Sequence, residues 1–121
     1  MNILTNKRIA ERKLKEAFPG IKVTRCILEK EMHIKKQYDA IIFETSKLVP
    51  ILTYDIKKVK KQPLLFLYSE KFKENRSIDE QEEYVSFFYN EVINVLTQYA
   101  DMIGQEYTQN INDAILGMKG K

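Results

Sequence analysis

Tryptophan is absent from this chain, and cysteine and histidine occur once each, as Cys26 and His33. A single cysteine excludes a disulfide framework within the chain. One cysteine with one histidine also leaves too few ligands for a structural zinc site. Long apolar runs are missing as well: nothing approaches the roughly 20 residues that a membrane-spanning helix needs, and there is no signal-peptide pattern. No membrane partner is therefore expected, and the cytoplasm is the expected compartment. His33 lies in a polar stretch with no second histidine and no cysteine in a nucleophilic arrangement, so no histidine-based catalysis is expected. Cys26 reads as a small core residue. Glycine and proline are scarce, at four and three residues, so their positions carry information.

What the chain does have is 121 residues, 44% of them apolar, enough for one domain with one core. The formal charge of +3 is unevenly spread. Residues 1–61 hold 15 Lys/Arg against 7 Asp/Glu, and residues 62–121 hold 5 against 10. Such halves suit an anionic partner for the first, a contact between the halves, a head-to-tail contact between copies, or simply a solvated surface. Nucleic acid is an expected partner of the basic half, although the excess is small and scattered for a dedicated nucleic-acid binder.

Read in order, residues 2–5 form a short apolar strand. Residues 6–18 form a helix, with Ile9, Ala10, Leu14, Ala17 and Phe18 on one face, and Pro19-Gly20 ends it. Residues 21–27 alternate as a strand. Residues 29–37 (EKEMHIKKQ) fit either a short helix near 28–36 or a strand. Residues 38–43 are β-branched and aromatic, and so a strand. ETSK (44–47) is turn-like. LVPILTY (48–54) has strand composition, but Pro50 argues against a central strand. DIKKVKK (55–61) resembles a helix end. Leu64–Tyr68 is a continuous apolar run of the kind buried on both faces. After a charged loop (69–76), Ser77 to Glu80 matches a capping box. A helical stripe follows: Val85, Phe88, Val92, Val95, Tyr99 and Met102, widened by Leu96 and Ile103. Gly104 is an expected break or kink. Tyr107, Ile111, Ala114 and Ile115 continue a weaker stripe before a fraying tail.

Two parses of the centre follow. In the first, strands 2–5, 21–27, 38–43 and 63–68 alternate with helices at 6–18, 28–36, 51–61 and 78–103. The result is a single α/β domain with a small, three-layer, mostly parallel sheet of about four strands over residues 1–70. A long C-terminal helical region occupies 78–117. The passage LKEAFPGIKV (14–23) and the strand YDAII (38–42) give this layout a resemblance. It is similar to flavodoxin-like regulatory domains: receiver domains, and the EIIB-like domains that end many Gram-positive transcription regulators of the Mga and BglG type. The resemblance implies a phosphoacceptor, but the chain departs from the pattern. Thr5 and Asn6 stand where a receiver has its acidic pair. Glu44 and Thr45 stand where the phosphoacceptor aspartate ends the third strand. Cys26 falls on the second strand rather than after the first, where EIIB carries its cysteine. The resemblance therefore implies a degenerate, non-catalytic regulatory or interaction domain without cofactor.

In the second parse 38–43 and 49–54 form a hairpin. Asp39, Asp55 and Lys57 would then resemble the PD-(D/E)xK nuclease pattern, with Glu11 or Glu16 adding an acid. Asp39 and Asp55 would hold Mg, and Lys57 would help to position a water. Against this, Tyr38 replaces the motif's proline, and only residues 58–62 separate the DxK strand from the next. Asp55 also reads as a helix N-cap, and Lys57, Lys58, Lys60 and Lys61 as either a basic patch or a solvated helix face. The Val85–Met102 stripe reads as the face that packs on the sheet. Its heptad spacing (85/92/99, 88/95/102) also fits a seam between copies or with a partner protein. Tyr84, Phe87 and Tyr89, off the stripe, add apolar surface and favour self-association.

Overall fold

The structure is a computed structural model that describes residues 1–45, 49–69 and 74–119, with side chains through Met102. The expected 44–47 turn, much of the 69–76 loop, and the side chains from Tyr107 to Ile115 lie wholly or partly outside the described residues.

The elements run β1 (Asn2–Thr5), α1 (Arg8–Ala17), β2 (Lys22–Arg25), β3 (Glu31–Ile34), β4 (Ala40–Thr45), β5 (Ile51–Tyr54), β6 (Leu64–Ser69) and α2 (Ile78–Lys119). Four strands form one sheet in the order β2-β1-β4-β6, every pair parallel. The mostly parallel α/β sheet and the long C-terminal helix are as expected.

Alternation of side chains sorts the core onto two faces. Ile3, Ala40 and Ile42, with Leu64 and Phe66, meet Ala10 and Leu14 of α1 and Tyr89, Val92 and Leu96 of α2. Leu4, Ile41 and Phe43 point the other way. Phe43 and Ile41 are completely buried, and covering each stabilises the fold by about 2–3 kcal/mol. α1 stops where expected: Gly20 takes φ +88°, and the Ile21 amide donates to the Phe18 carbonyl at 3.1 Å. At the start of α2, the Glu80 amide donates to the Ser77 hydroxyl at 3.2 Å, one half of the expected capping box. α2 then runs on through Gly104 without a break.

Two helices of the first parse fail: neither 28–36 nor 51–61 is helical, and in each the strand alternative holds. Their cores are the strands β3 and β5, which pair in parallel as a second, two-stranded sheet in register Glu31↔Ile51 to Ile34↔Tyr54. Met32, Ile34, Leu52 and Tyr54 turn inward onto Leu4, Ile41 and Phe43. Glu31, His33, Ile51 and Thr53 turn outward, where His33 Nδ1 and Thr53 Oγ1 share a 2.8 Å hydrogen bond. Pro50 precedes the first residue of β5, a place a strand tolerates because the missing N–H falls before its first residue.

The third correction concerns β6. Its helix-side residues are covered, but Leu65 and Leu67 are 48% and 44% exposed. The small sheet covers the register partners Ile41 and Phe43 and leaves these two open. Among the described residues, no helix is long and apolar enough to cross a membrane.

Candidate functional site at the ends of β1 and β4

In open parallel sheets, ligands bind beyond the carboxyl ends of the strands, where the strand order reverses. Here that point lies between β1 and β4. Three residues meet there: Asn6 after β1, and Glu44 and Thr45 ending β4. Asn6 Nδ2 donates to the Glu44 carbonyl and Asn6 Oδ1 accepts from the Glu44 amide, both at 2.9 Å. The side-chain amide thus takes the part of a backbone peptide and carries the β1–β4 ladder one step beyond its last register pair, Thr5↔Ile42. Thr5 and Thr45 are buried, and the Thr45 hydroxyl donates to the Tyr68 carbonyl at 3.4 Å.

Glu44 is the acid at this end of β4. It points to the helix side, near Tyr89, whose hydroxyl is held protonated far above its ordinary range, first by burial and then by the Glu44 charge. Cys26 follows β2 and donates its amide to the Thr5 carbonyl at 2.9 Å. Its half-buried side chain packs in the second-face core. Burial, and secondarily Glu29, push its thiol up, the opposite of what a nucleophile needs.

The nuclease candidates are placed apart. The Asp39 carboxylate accepts from the Asn2 amide at 2.7 Å, at the start of β1. Glu11 bonds Lys15 at 2.8 Å and Arg25 at 3.1 Å; Arg25 is the register partner of Thr5, at the other end of that strand. Lys15 first, with Arg25 and Arg8, keeps the half-buried Glu11 carboxyl below its usual range. Asp55 follows β5, on the second sheet. Its Oδ1 accepts from the Lys57 amide at 2.9 Å, and its carbonyl from Lys58 at 3.1 Å and Val59 at 2.7 Å. Asp55 therefore caps one tight turn rather than the expected helix. The hairpin that would join Asp39 to Asp55 and Lys57 is not formed, because β4 pairs with β1 and β6, and β5 pairs with β3. Among the described residues, no three His, Cys, Asp or Glu side chains are grouped to hold a metal ion.

The α2 stripe divides. Val92 is buried, and Val85 and Phe88 pack against the same core. The Tyr99 ring lies 5.1 Å beneath the Lys61 ammonium. Val95 and Met102 are 37% and 58% exposed, and Phe87, off the stripe, is 64% exposed. Their place around the helix follows from its neighbours. Tyr68 of β6 stacks on Tyr84 and Phe88 at 5.8 and 5.0 Å, whereas Lys13 of α1 reaches Tyr89. At 100° per residue, Val95 and Met102 fall on the Tyr84–Phe88 flank, the side over β6, with Phe87 further round the same flank. Periodicity alone could not show this, because it locates an apolar stripe without saying which residues the sheet uses. The clamp made by Asn6 was also missed; an Asn one residue past a strand was its only signal.

Compared with known protein families, with curated proteins and with solved structures, the chain matches none.

Proposed function

We propose that this protein is a non-catalytic interaction domain, regulatory in role, that works as a pair of copies joined along β6 and the adjacent flank of α2. The observation that carries this reading is the apolar rim that the described residues leave exposed at Leu65 and Leu67. The β6 sequence LLFLYS is an outer strand without proline or charge, the kind of edge that pairs with another strand unless it is blocked. Below it lie Leu65 and Leu67; above it lie Phe87, Val95 and Met102.

A second copy suits this rim because an antiparallel β6–β6 pairing about a two-fold axis sets the same apolar patch of each copy against the other, so that Leu65 of one can face Leu67 of the next. The length of α2 points the same way. Its 42 residues extend about 63 Å, against about 20 Å for a six-residue strand. The helix still packs against the rest of the fold at Leu96 and Tyr99 and then runs on for about twenty residues, along which a second α2 offers a surface of equal length.

The strand order β2-β1-β4-β6 supports a flavodoxin-like reading, since doubly wound sheets of that kind begin 2-1-3-4. The second face, covered by strands in place of helices, is this chain's variation on it. The Asn6–Glu44 clamp at the switch point supports a role without catalysis. On the resemblance described above, the domain belongs in a transcription regulator.

Sedimentation of the wild type and of Leu67→Lys/Val95→Glu tests the pairing. Both substituted side chains reach solvent, at 44% and 37% exposure, and circular dichroism verifies that the variant keeps its fold. The wild type should sediment as two copies at micromolar concentration and the variant as one. A monomeric wild type, or a variant that still pairs, overturns the proposal.

A further inference from the structure

Six lysines stand together at one end of the two-stranded sheet. Because Ile34 and Tyr54 are register partners of a parallel pair, β3 and β5 end side by side and their following loops leave the same end. The first loop carries Lys35 and Lys36, and the second Lys57, Lys58, Lys60 and Lys61, all exposed.

Gln37 stitches the loops together. Its Oε1 accepts from the Lys60 and Lys61 amides at 2.8 and 3.0 Å, and its Nε2 donates to the Lys61 carbonyl at 2.6 Å and the Tyr38 carbonyl at 3.0 Å. Asp55 spends one carboxylate oxygen on the turn itself. Lys36 and Lys61 are steadied over the Tyr38 and Tyr99 rings at 5.7 and 5.1 Å. None of the six lies within ion-pair distance of a carboxylate among the described residues. The cluster is therefore an array of six cations with one carboxylate, Asp55, in its turn and with no ion pair among the described residues.

We propose that this end of the small sheet binds the phosphate backbone of a nucleic acid duplex, without reading its sequence. Lysines are point charges that satisfy phosphates from many directions, and no arginine fork stands among them to read base edges. Tyr38 is buried and Tyr99 lies under Lys61, so the patch offers no open ring on which a single strand could stack. Ile56 is the one exposed apolar side chain in the turn, too little to enter a lipid surface. The proposal is independent of the pairing through β6.

The test is fluorescence anisotropy of the full chain with a labelled mixed-sequence duplex, repeated across salt concentrations. If about four lysines each displace one counterion, log K falls with log salt at a slope of about −3.5, so affinity drops about a hundredfold from 50 to 200 mM salt. Replacing Lys57, Lys58, Lys60 and Lys61 by Gln should weaken binding at least tenfold and flatten that slope. Replacing the same four by Arg should preserve both. Replacing Lys7, Lys13, Lys15 and Lys22 by Gln, which removes equal charge from the basic half, should change affinity less than threefold. Circular dichroism verifies the fold of each variant. No wild-type binding at low salt overturns the proposal, as does equal loss in the Lys7 set. Equal or tighter binding of the single strand, or of phosphatidylserine vesicles, overturns it too.

Discussion

Replacing Asn6 by Ala should unfasten the end of the sheet at the point where related architectures keep their chemistry. The Asn6 amide makes two 2.9 Å hydrogen bonds to the backbone of Glu44, in a part-buried setting. Each bond contributes about 1 kcal/mol net, and the Glu44 amide and carbonyl would lose these partners where water reaches them poorly. The expected loss is about 2 kcal/mol, or a melting temperature lower by about 8 °C for a domain of this size. Urea unfolding followed by circular dichroism reads this as a shifted midpoint with an unchanged slope. The Asn6→Asp variant separates the two bonds. Its carboxylate still accepts from the Glu44 amide but meets the Glu44 carbonyl with a lone pair instead of a donor. It should be at least as unstable at neutral pH and recover as the pH falls through the carboxylate range, where the protonated acid donates again. An Asn6→Ala midpoint within about 0.5 kcal/mol of the wild type would refute the reasoning, because water would then be replacing the amide and the crevice would not be clamped by it.

Two further outcomes are expected. Burial raises the Cys26 thiol pKa in the folded state. Its protonated form is therefore favoured by folding, and stability should begin to fall as pH rises past the ordinary thiol value of about 8.5. Cys26→Ala should flatten that decline in thermal melts, and an identical pH profile in both proteins would contradict it. At the head of α2, Ser77→Ala removes the hydroxyl that accepts from Glu80 and should cost about 1 kcal/mol in the same unfolding assay; no change would mean that water caps the helix equally well.

The four strands of the main sheet, both helices and the parallel pairing were legible because each rests on a local pattern. Ala40–Phe43 and Leu64–Tyr68 are apolar enough to be strands in any context, and α1 lies between β1 and a Pro-Gly stop. β3 and β5 were legible only as alternatives, and their pairing with each other was not. Parallel strands are usually joined by a helix, and Asp55 before IKKVKK offers a good helix cap, so topology and the cap outweighed the strand composition of 48–54. What decided instead was non-local: Met32, Ile34, Leu52 and Tyr54 alternate with polar neighbours and together roof Leu4, Ile41 and Phe43. Pro50 stands just before β5 and not inside it, so it does not bar the strand. The lysine cluster was half visible as Lys57–Lys61, but Lys35 and Lys36 join it only once β3 and β5 end together. For α2, the stripe was legible and its division was not, since Val92 and Val95 look alike until the sheet selects one.

The two sheets are woven into each other along the chain. β3 leaves the main sheet for the small one, β4 returns, β5 leaves again and β6 returns. Neither sheet can be completed before the other is nearly complete. A nascent chain ending before residue 51 has β3 without its partner and β4 without β6 beside it. Every strand pairing also joins segments distant in sequence, such as Ile3 with Ala40, so the contacts that build the sheets do not reward early local order. The domain should consequently acquire its structure late and all at once. Limited proteolysis of the folded protein should leave no stable half.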